Sequence, residues 1–155
     1  MYLPTGDGMC VGLLFDPKDR YDVHVRVGRT IQSMLVELNV GFKLRIGVGE
    51  GSDCVYQDVN KNTNFAGHGI NSAARAMTAA KPNGIAVTQQ TFDRLSQHSE
   101  YIDSLERIDV KINGTNWTFY DLHPVECSER FPCRGQGAAK SKSPGRFRPK
   151  ASRRL

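Results

Sequence analysis

The sequence predicts an α+β domain in which helices cover a mixed sheet. Segments with helical periodicity alternate with short segments of strand character along most of the chain. Two dipeptides typical of tight hairpins, Asp7-Gly8 and Asn113-Gly114, lie between extended segments near the two ends of this pattern. We therefore expect a hairpin at each end of the domain and helix-covered strands between them.

The first half of the domain begins with an extended segment in which Pro4 restricts the strand to an edge. A long amphipathic helix follows, with apolar residues at helical spacing and Asp22 as its N-cap. Alternating apolar residues after this helix indicate a strand. The predicted elements are strands over 2–4 and 9–15, a helix over 23–38, a strand over 42–48 and a short strand over 54–56.

The second half begins with a polar segment, 58–64, which we expect to be a loop because its asparagines favour turns. An alanine-rich helix follows, and its apolar stripe is predicted to consist of Ile70, Ala73, Ala74 and Met77. The remaining predicted elements are a turn over 81–84, a strand over 85–87, a helix over 88–97 and paired strands over 107–112 and 117–122.

The positive charge of the chain is concentrated at its C-terminal end. Residues 1–125 contain 12 Lys and Arg against 14 Asp and Glu, whereas residues 126–155 contain 9 against 2. We interpret 1–125 as the folded domain and 126–155 as a basic, disordered tail rich in Gly, Ser, Lys and Pro. This tail could contact nucleic acid electrostatically, but it carries no recognition motif, so nucleic acid is not the expected partner.

The four cysteines form no pair with metal-ligand spacing, and Cys10 lies in an apolar run typical of a buried thiol. The sequence shows no signal peptide and no apolar run close to the roughly 18 residues of a membrane span. A reduced, cytoplasmic location is the expectation.

The segment from Asn64 to Met77 is the most informative part of the chain. Asn71 and Arg75 are four residues apart, so a helix places them on one face. An amide and a guanidinium that point the same way, beside small residues, can hold a ribose and a phosphate. The same spacing is also typical of a solvated helix face, and the pair alone leaves both interpretations open.

Five segments in the same order resemble the catalytic domain of class III nucleotidyl cyclases, the adenylate and guanylate cyclases. The resemblance extends from about residue 2 to residue 123. The segments are Thr5-Gly6-Asp7-Gly8-Met9, Leu44-Arg45-Ile46-Gly47-Val48, the run from Phe65 to Arg75, Gly84-Ile85-Ala86-Val87-Thr88 with the helix after it, and the strand pair containing Val110-Lys111.

The resemblance implies a ferredoxin-like nucleotidyl cyclase fold that works as a head-to-tail homodimer or heterodimer, with active sites at the subunit interface. It implies conversion of a nucleoside triphosphate, ATP or GTP, to a 3′,5′-cyclic nucleotide and pyrophosphate in cyclic nucleotide signalling. Two Mg²⁺ or Mn²⁺ ions are the implied cofactors, so positioning and charge neutralisation carry most of the catalysis.

The resemblance also assigns roles to single residues. Asp7 matches the second metal-binding aspartate, and its Gly-Asp-Gly turn suits a hard cation near a phosphate. Asn71 matches the asparagine that orients the ribose, and Arg75 matches the arginine that stabilises charge on the α-phosphate. Asn64 stands at a base-selecting position, and Lys111 lies near the lysine that contacts the triphosphate.

The chain departs from the family pattern in two ways. The opening strand with the first metal-binding aspartate, and the two helices after it, have no counterpart before the first hairpin. Leu3 occupies a position where adenylate cyclases have a lysine, and a leucine cannot read a purine edge by hydrogen bonding. These departures favour an alternative, a catalytically inactive cyclase-homology module that dimerises, binds nucleotide or regulates.

Overall fold

The computed structural model describes residues 1–14, 20–39 and 41–123. The predicted basic tail, 126–155, lies outside the described residues, as does the end of the predicted strand 9–15. The strands are β1 (Tyr2–Thr5), β2 (Gly8–Val11), β3 (Ile46–Val48), β4 (Asp53–Gln57), β5 (Thr63–Gly67), β6 (Ile85–Thr88), β7 (Leu105–Ile112) and β8 (Thr115–Leu122). The helices are α1 (Val23–Glu37), α2 (His68–Ala79) and α3 (Gln89–Leu95), with a 3₁₀ turn over Ile102–Ser104.

A four-stranded mixed sheet with the strand order β3-β6-β8-β7 forms the centre of the domain. Strands β3 and β6 are parallel, and β8 runs antiparallel to both β6 and β7. The four residues of β6 are all buried, as the central position of this strand requires. The largest core cluster comprises Val25, Val48, Ile85, Val87, Leu95, Tyr101, Tyr120 and Leu122. The predicted α+β class is therefore confirmed.

Strands β1 and β2 form a separate two-stranded sheet, with Thr5 opposite Gly8 at its turn. Gly6 has a φ of 75° in this turn, a conformation that suits glycine. The predicted hairpin is confirmed, but β2 ends at Val11, earlier than the predicted strand 9–15. The ring of Phe65 lies directly against Gly12, just after the strand.

The prediction of a loop over 58–64 was wrong at its C-terminal end. Strands β4 and β5 pair as an antiparallel hairpin, with Asn64 opposite Tyr56 and Thr63 opposite Gln57. Cross-strand pairing here overrides the turn preference of asparagine, because strand propensity depends strongly on the neighbouring strand. The predicted strand 42–48 is shorter in the structure, where only Ile46–Val48 pairs with β6.

Helix α1 closely matches its prediction, but Asp22 does not cap it with its side chain. The buried Asp22 carboxylate accepts hydrogen bonds from Arg20 Nε at 3.0 Å and from the Tyr101 hydroxyl at 2.9 Å. Burial acts to raise the pKa of Asp22, but these two hydrogen bonds outweigh it and lower the pKa below its usual value. Asp22 therefore joins the start of α1 to the segment before β7.

Candidate active site

Helix α2 lies closer to β3 than side chains on both elements would allow. A Cβ on Gly47 would overlap the carbonyl of Ala73 and would lie 2.8 Å from the Cα of Met77. A Cβ on Gly49 would lie 2.9 Å from the backbone nitrogen of Ala73. Because both residues are glycines, the backbone of α2 packs directly against this segment. The contact fixes the distance between the helix and the sheet.

This close packing changes which face of α2 is buried. The helix buries Gly69, Ser72 and Ala76, whereas Ala74 and Met77 are exposed, so the predicted apolar stripe was partly wrong. The smallest residues face the sheet because the close approach of α2 to Gly47 in β3, and to Gly49 just after it, leaves no room for larger side chains. The predicted stripe was chosen by apolar character and took no account of side-chain size. The predicted buried face is therefore rotated about the helix axis relative to the observed one.

The N-terminus of α2 is bound by a carboxylate that the sequence analysis missed. Asp53 Oδ1 accepts hydrogen bonds from the backbone nitrogens of Gly69 at 2.9 Å and Ile70 at 3.4 Å. Gly67 and Gly69 leave space for this carboxylate, which a Cβ on either would strike. An anion at this end of a helix is stabilised by its unpaired N–H groups and its dipole. One sequence signal could have revealed this contact. Asp53 is an acidic residue at the start of β4, and β4 pairs with the strand that leads into Gly67-His68-Gly69.

The two residues predicted to be catalytic lie on α2, one turn apart. Asn71 is exposed, and Arg75 is half-buried with its guanidinium carbon 4.6 Å from the centroid of the Trp117 ring. Trp117 belongs to β8, so this contact joins the helix to the central sheet. The Arg75–Trp117 pair had no sequence signal, because 42 residues separate its members.

Asn64 is placed on β5, where its amide is already engaged. Its Nδ2 donates to Asp58 Oδ2 at 3.1 Å, and Asp58 also accepts from the backbone nitrogens of Asn60 and Asn62. The backbone N–H of Asn62, together with the side-chain amides of Asn62 and Asn64, lowers the pKa of Asp58 below its usual value. The carbonyl oxygen of Asn64 is the polar atom with which this side chain could meet a base.

Lys111 and Asp7 are both exposed and lie on different hairpins. Lys111 is on β7, paired with Asn116 of β8, and Asp7 is in the turn between β1 and β2. The structure brings Asn71 and Arg75 together on one helix. It does not gather all five predicted site residues into one pocket of this chain, and each of the five stays a prediction.

A cleft with a volume of about 840 Å³ lies beside the N-terminus of α2. Its wall includes Gly12, Glu50, Asp53, His68 and Arg94, and none of the five predicted site residues. Glu50 is nearly buried, with Arg94 Nη2 at 2.8 Å and His24 Nε2 at 3.0 Å from its two oxygens. The sequence analysis did not single out this charged group.

A second group of polar side chains brings together atoms that could ligate a metal ion. One atom each from Glu106, Asp121 and His123 lies within 4.8 Å of the others. However, Lys81 Nζ lies 2.7 Å from Asp121 and 3.6 Å from Glu106, and this contact with Asp121 raises the pKa of Lys81. The group therefore already contains a cation supplied by the chain, and it does not fit a divalent ion as arranged.

The comparisons with known proteins identify the class of this domain. The family described as the adenylate and guanylate cyclase catalytic domain matches residues 16–124, more than half of the chain. The chain therefore belongs to this family, as the resemblance indicated. The match includes Asn64, Asn71, Arg75 and Lys111, and it begins after Asp7. No curated protein sequence matches the chain significantly.

Solved structures with a similar fold are cyclase catalytic domains. One is the catalytic core of a rhodopsin-guanylyl cyclase with converted specificity, in complex with ATPαS, at a TM-score of 0.51 and 17% identity, covering 69% of this chain. Another is the guanylate cyclase domain of RhGC from Catenaria anguillulae in complex with GTP, at a TM-score of 0.48 and 16% identity, covering 68% of this chain. The chain spans 62% of the length of each.

None of the helices in the described part of the chain is both long enough and apolar enough to span a membrane.

Proposed function

We propose that this domain is a nucleotidyl cyclase that converts a nucleoside triphosphate to a 3′,5′-cyclic nucleotide and pyrophosphate. The 3′-oxygen of the ribose would bond to the α-phosphorus, the bond to the pyrophosphate oxygen would break, and the hydroxyl proton would pass to solvent. The observation that carries this proposal is the placement of Asn71 and Arg75 one turn apart on α2, within the residues that match the cyclase family.

Four side chains would bind and orient the nucleotide. Arg75 would donate to the α-phosphate as negative charge develops there, and Asn71 would hold the ribose. Lys111 would contact the triphosphate as a mobile point charge, which suits its exposed position on β7. Asn64 would offer its carbonyl oxygen to the base, because its amide nitrogen donates to Asp58.

Asp7 would hold a Mg²⁺ or Mn²⁺ ion. Its exposed carboxylate in a glycine-flanked turn fits such an ion as a single ligand, since Mg²⁺ commonly takes one or two carboxylates and completes its shell with phosphate oxygens and water. When bound, the ion would lower the pKa of the hydroxyl and neutralise phosphate charge. The role of the chain itself is to place one hard oxygen at the tip of the hairpin.

We further propose that two cyclase domains, in a homodimer or a heterodimer, share each nucleotide. Large apolar side chains are exposed on both short hairpins, among them Tyr2 at 71%, Met9 at 60% and Val59 at 98%. Such surface commonly marks a protein interface.

Cys10 and Cys54 are both free thiols, which supports a reduced, cytoplasmic location.

A second function, nucleotide binding without turnover, is favoured by one observation. The side-chain amide of Asn64, at the predicted base-selecting position, already donates to Asp58 within the chain. A cyclase-homology module that dimerises and holds a nucleotide without base-specific turnover would tolerate this feature.

Turnover assays with Mn²⁺ and each of ATP, GTP, CTP and UTP distinguish the two functions. We expect cyclic product from the wild-type chain and a loss of about 10²- to 10³-fold in kcat for Arg75→Ala. Arg26→Ala, which removes an exposed arginine of α1, is the matched control and should leave kcat unchanged. Product that survives both Arg75→Ala and Asp7→Ala would refute the site assignment, and nucleotide binding without product would establish the second function.

A further inference from the structure

The only tryptophan of the chain lies under the arginine that the proposed function places at the α-phosphate. The Arg75 guanidinium carbon is 4.6 Å from the centroid of the Trp117 ring, within the range of a cation–π contact. No ion pair between described residues involves Arg75, although several acidic side chains of the sheet are paired with other cations. The aromatic ring is therefore the group that holds this guanidinium.

Trp117 is itself held firmly in the domain. It packs against the buried cluster of Ala76, Ala80, Ala86 and Phe119, and its ring stacks with Phe119 at a centroid distance of 6.2 Å. It also pairs across the β7–β8 ladder with Val110. A ring fixed by a helix, a central strand and a neighbouring strand can fix whatever lies on its face.

A ring and a carboxylate would hold an arginine with different consequences. A carboxylate binds the N–H edge of the guanidinium and competes with phosphate for the same donors. A ring contacts the flat face and leaves the in-plane N–H donors available. The contact also restricts a long side chain before any ligand binds, which lowers the ordering cost of binding.

The geometry points to Trp117 as the residue that positions Arg75. Its ring holds the guanidinium beside α2 with the N–H edge open to a phosphate, and the contact persists when nucleotide binds. Trp117 acts through Arg75 and touches no reacting atom. This inference rests on the proposed function, because it assigns Arg75 a phosphate to bind.

The contact itself is tested without activity. Because Trp117 is the sole tryptophan, its emission reports on the neighbouring cation. We expect Arg75→Gln to change the emission intensity or wavelength of the free protein, whereas Arg26→Gln, on the exposed side of α1, leaves the spectrum unchanged. Identical spectra for the wild type and Arg75→Gln would overturn the inference whatever the activity of the chain.

The positioning role is tested by kinetics on three variants. Trp117→Leu removes the aromatic face and should lower kcat about three- to tenfold with little change in KM, while Trp117→Phe restores most of kcat. Val25→Ala removes packing from the other core cluster, which does not include Trp117, so it should lower the melting temperature and preserve kcat. A wild-type kcat in Trp117→Leu, a rise in kcat, or equal losses in the leucine and phenylalanine variants would overturn the inference.

Failure of the proposed function is separable from failure of this inference. If the wild-type chain turns over none of the four nucleotides, the proposed function fails. The same variants are then compared for ATP and GTP binding by calorimetry. Weaker binding by Trp117→Leu than by Trp117→Phe supports the positioning role, and equal binding overturns it.

Discussion

The helix-covered sheet and the β1–β2 hairpin hold their predicted site residues in different ways. Helix α2 rests directly on β3 through Gly47 and Gly49, and its first turn is bound by Asp53. Among the described residues, strands β1 and β2 pair only with each other. All four residues of the turn between them, from Thr5 to Gly8, are exposed. One region holds its side chains rigidly, and the other presents a single carboxylate at an exposed tip.

Under the proposed function, this difference indicates how the site would divide its work. Orienting the ribose and the α-phosphate would demand fixed geometry, which the packed helix would supply through Asn71 and Arg75. Binding a metal ion would demand one oxygen that can adjust to the phosphate and water ligands around it, which an exposed turn would supply through Asp7. Substitutions in the two regions should therefore affect stability and activity differently.

The largest effect is expected from Gly47→Ala. The new methyl group would overlap the backbone of α2 at Ala73 and Met77, and a helix backbone cannot retract as a flexible side chain can. We expect a loss of about 3 kcal/mol in the free energy of unfolding, measured by urea denaturation. Gly41→Ala is the matched control, because a Cβ there meets no atom within 4 Å. Equal stability of the two variants would show that α2 is not clamped.

The next largest loss of stability is expected from Asp22→Asn, which tests the buried contact between the start of α1 and the segment before β7. The buried carboxylate accepts from Arg20 and Tyr101, so loss of its charge should cost about 2 kcal/mol. Folding lowers the pKa of Asp22. The stability that this carboxylate contributes is therefore fully present above its unfolded pKa of about 4, and it is lost as the pH falls through the folded pKa. Denaturation from pH 7 to pH 2 should show a shallower acid loss in the variant. Parallel curves would contradict this role.

A smaller effect is expected from Asp53→Ala, which releases the first turn of α2. Two backbone N–H groups lose their acceptor, at Gly69 and Ile70, and a cost of about 1 kcal/mol is typical of a lost helix cap. Hydrogen exchange should rise at these two amides and remain unchanged in α1. Asp53→Asn keeps an acceptor oxygen and should lose less. An undiminished protection of both amides in the alanine variant would show that the helix start is held by other contacts.

The smallest effect on stability is expected from Asp7→Ala. An exposed turn residue without a buried contact should change the free energy of unfolding by less than about 0.5 kcal/mol. The same substitution should abolish the turnover that added Mn²⁺ supports in the wild-type chain. A destabilisation above about 1 kcal/mol would mean that the hairpin is coupled to the core, and the contrast between the two regions would fail.

The sequence predicted the elements that local pattern controls. Helix α1 and the closing hairpin follow from apolar spacing and from Asn113-Gly114, and the structure has both. The β4–β5 hairpin was partly missed because its asparagines favour turns when considered alone, and pairing across strands decides otherwise. The resemblance identified the family that the later comparison confirmed.

The contacts of the candidate site residues could not be predicted from the sequence, for a different reason. Asp53 and Gly69 are 16 residues apart, and Arg75 and Trp117 are 42 apart. The Asp53–Gly69 contact follows from the pairing of β4 with β5, and the Arg75–Trp117 contact follows from the packing of α2 against the central sheet. Neither contact is encoded by hydrophobic periodicity. The motif therefore predicted which residues of α2 are notable, and the fold was needed to show what holds them.

The parallel pairing of β3 with β6 has a consequence for the order in which the protein folds. The β4–β5 hairpin and α2 make up the connection between these two strands, so the pairing closes a loop from Val48 to Ile85. Loop-closure entropy opposes such non-local contacts until both ends are in place, and this slows their formation. Asn71 and Arg75 lie inside that loop, so we expect the helix that carries them to dock on the sheet late in folding, after the local hairpins have formed.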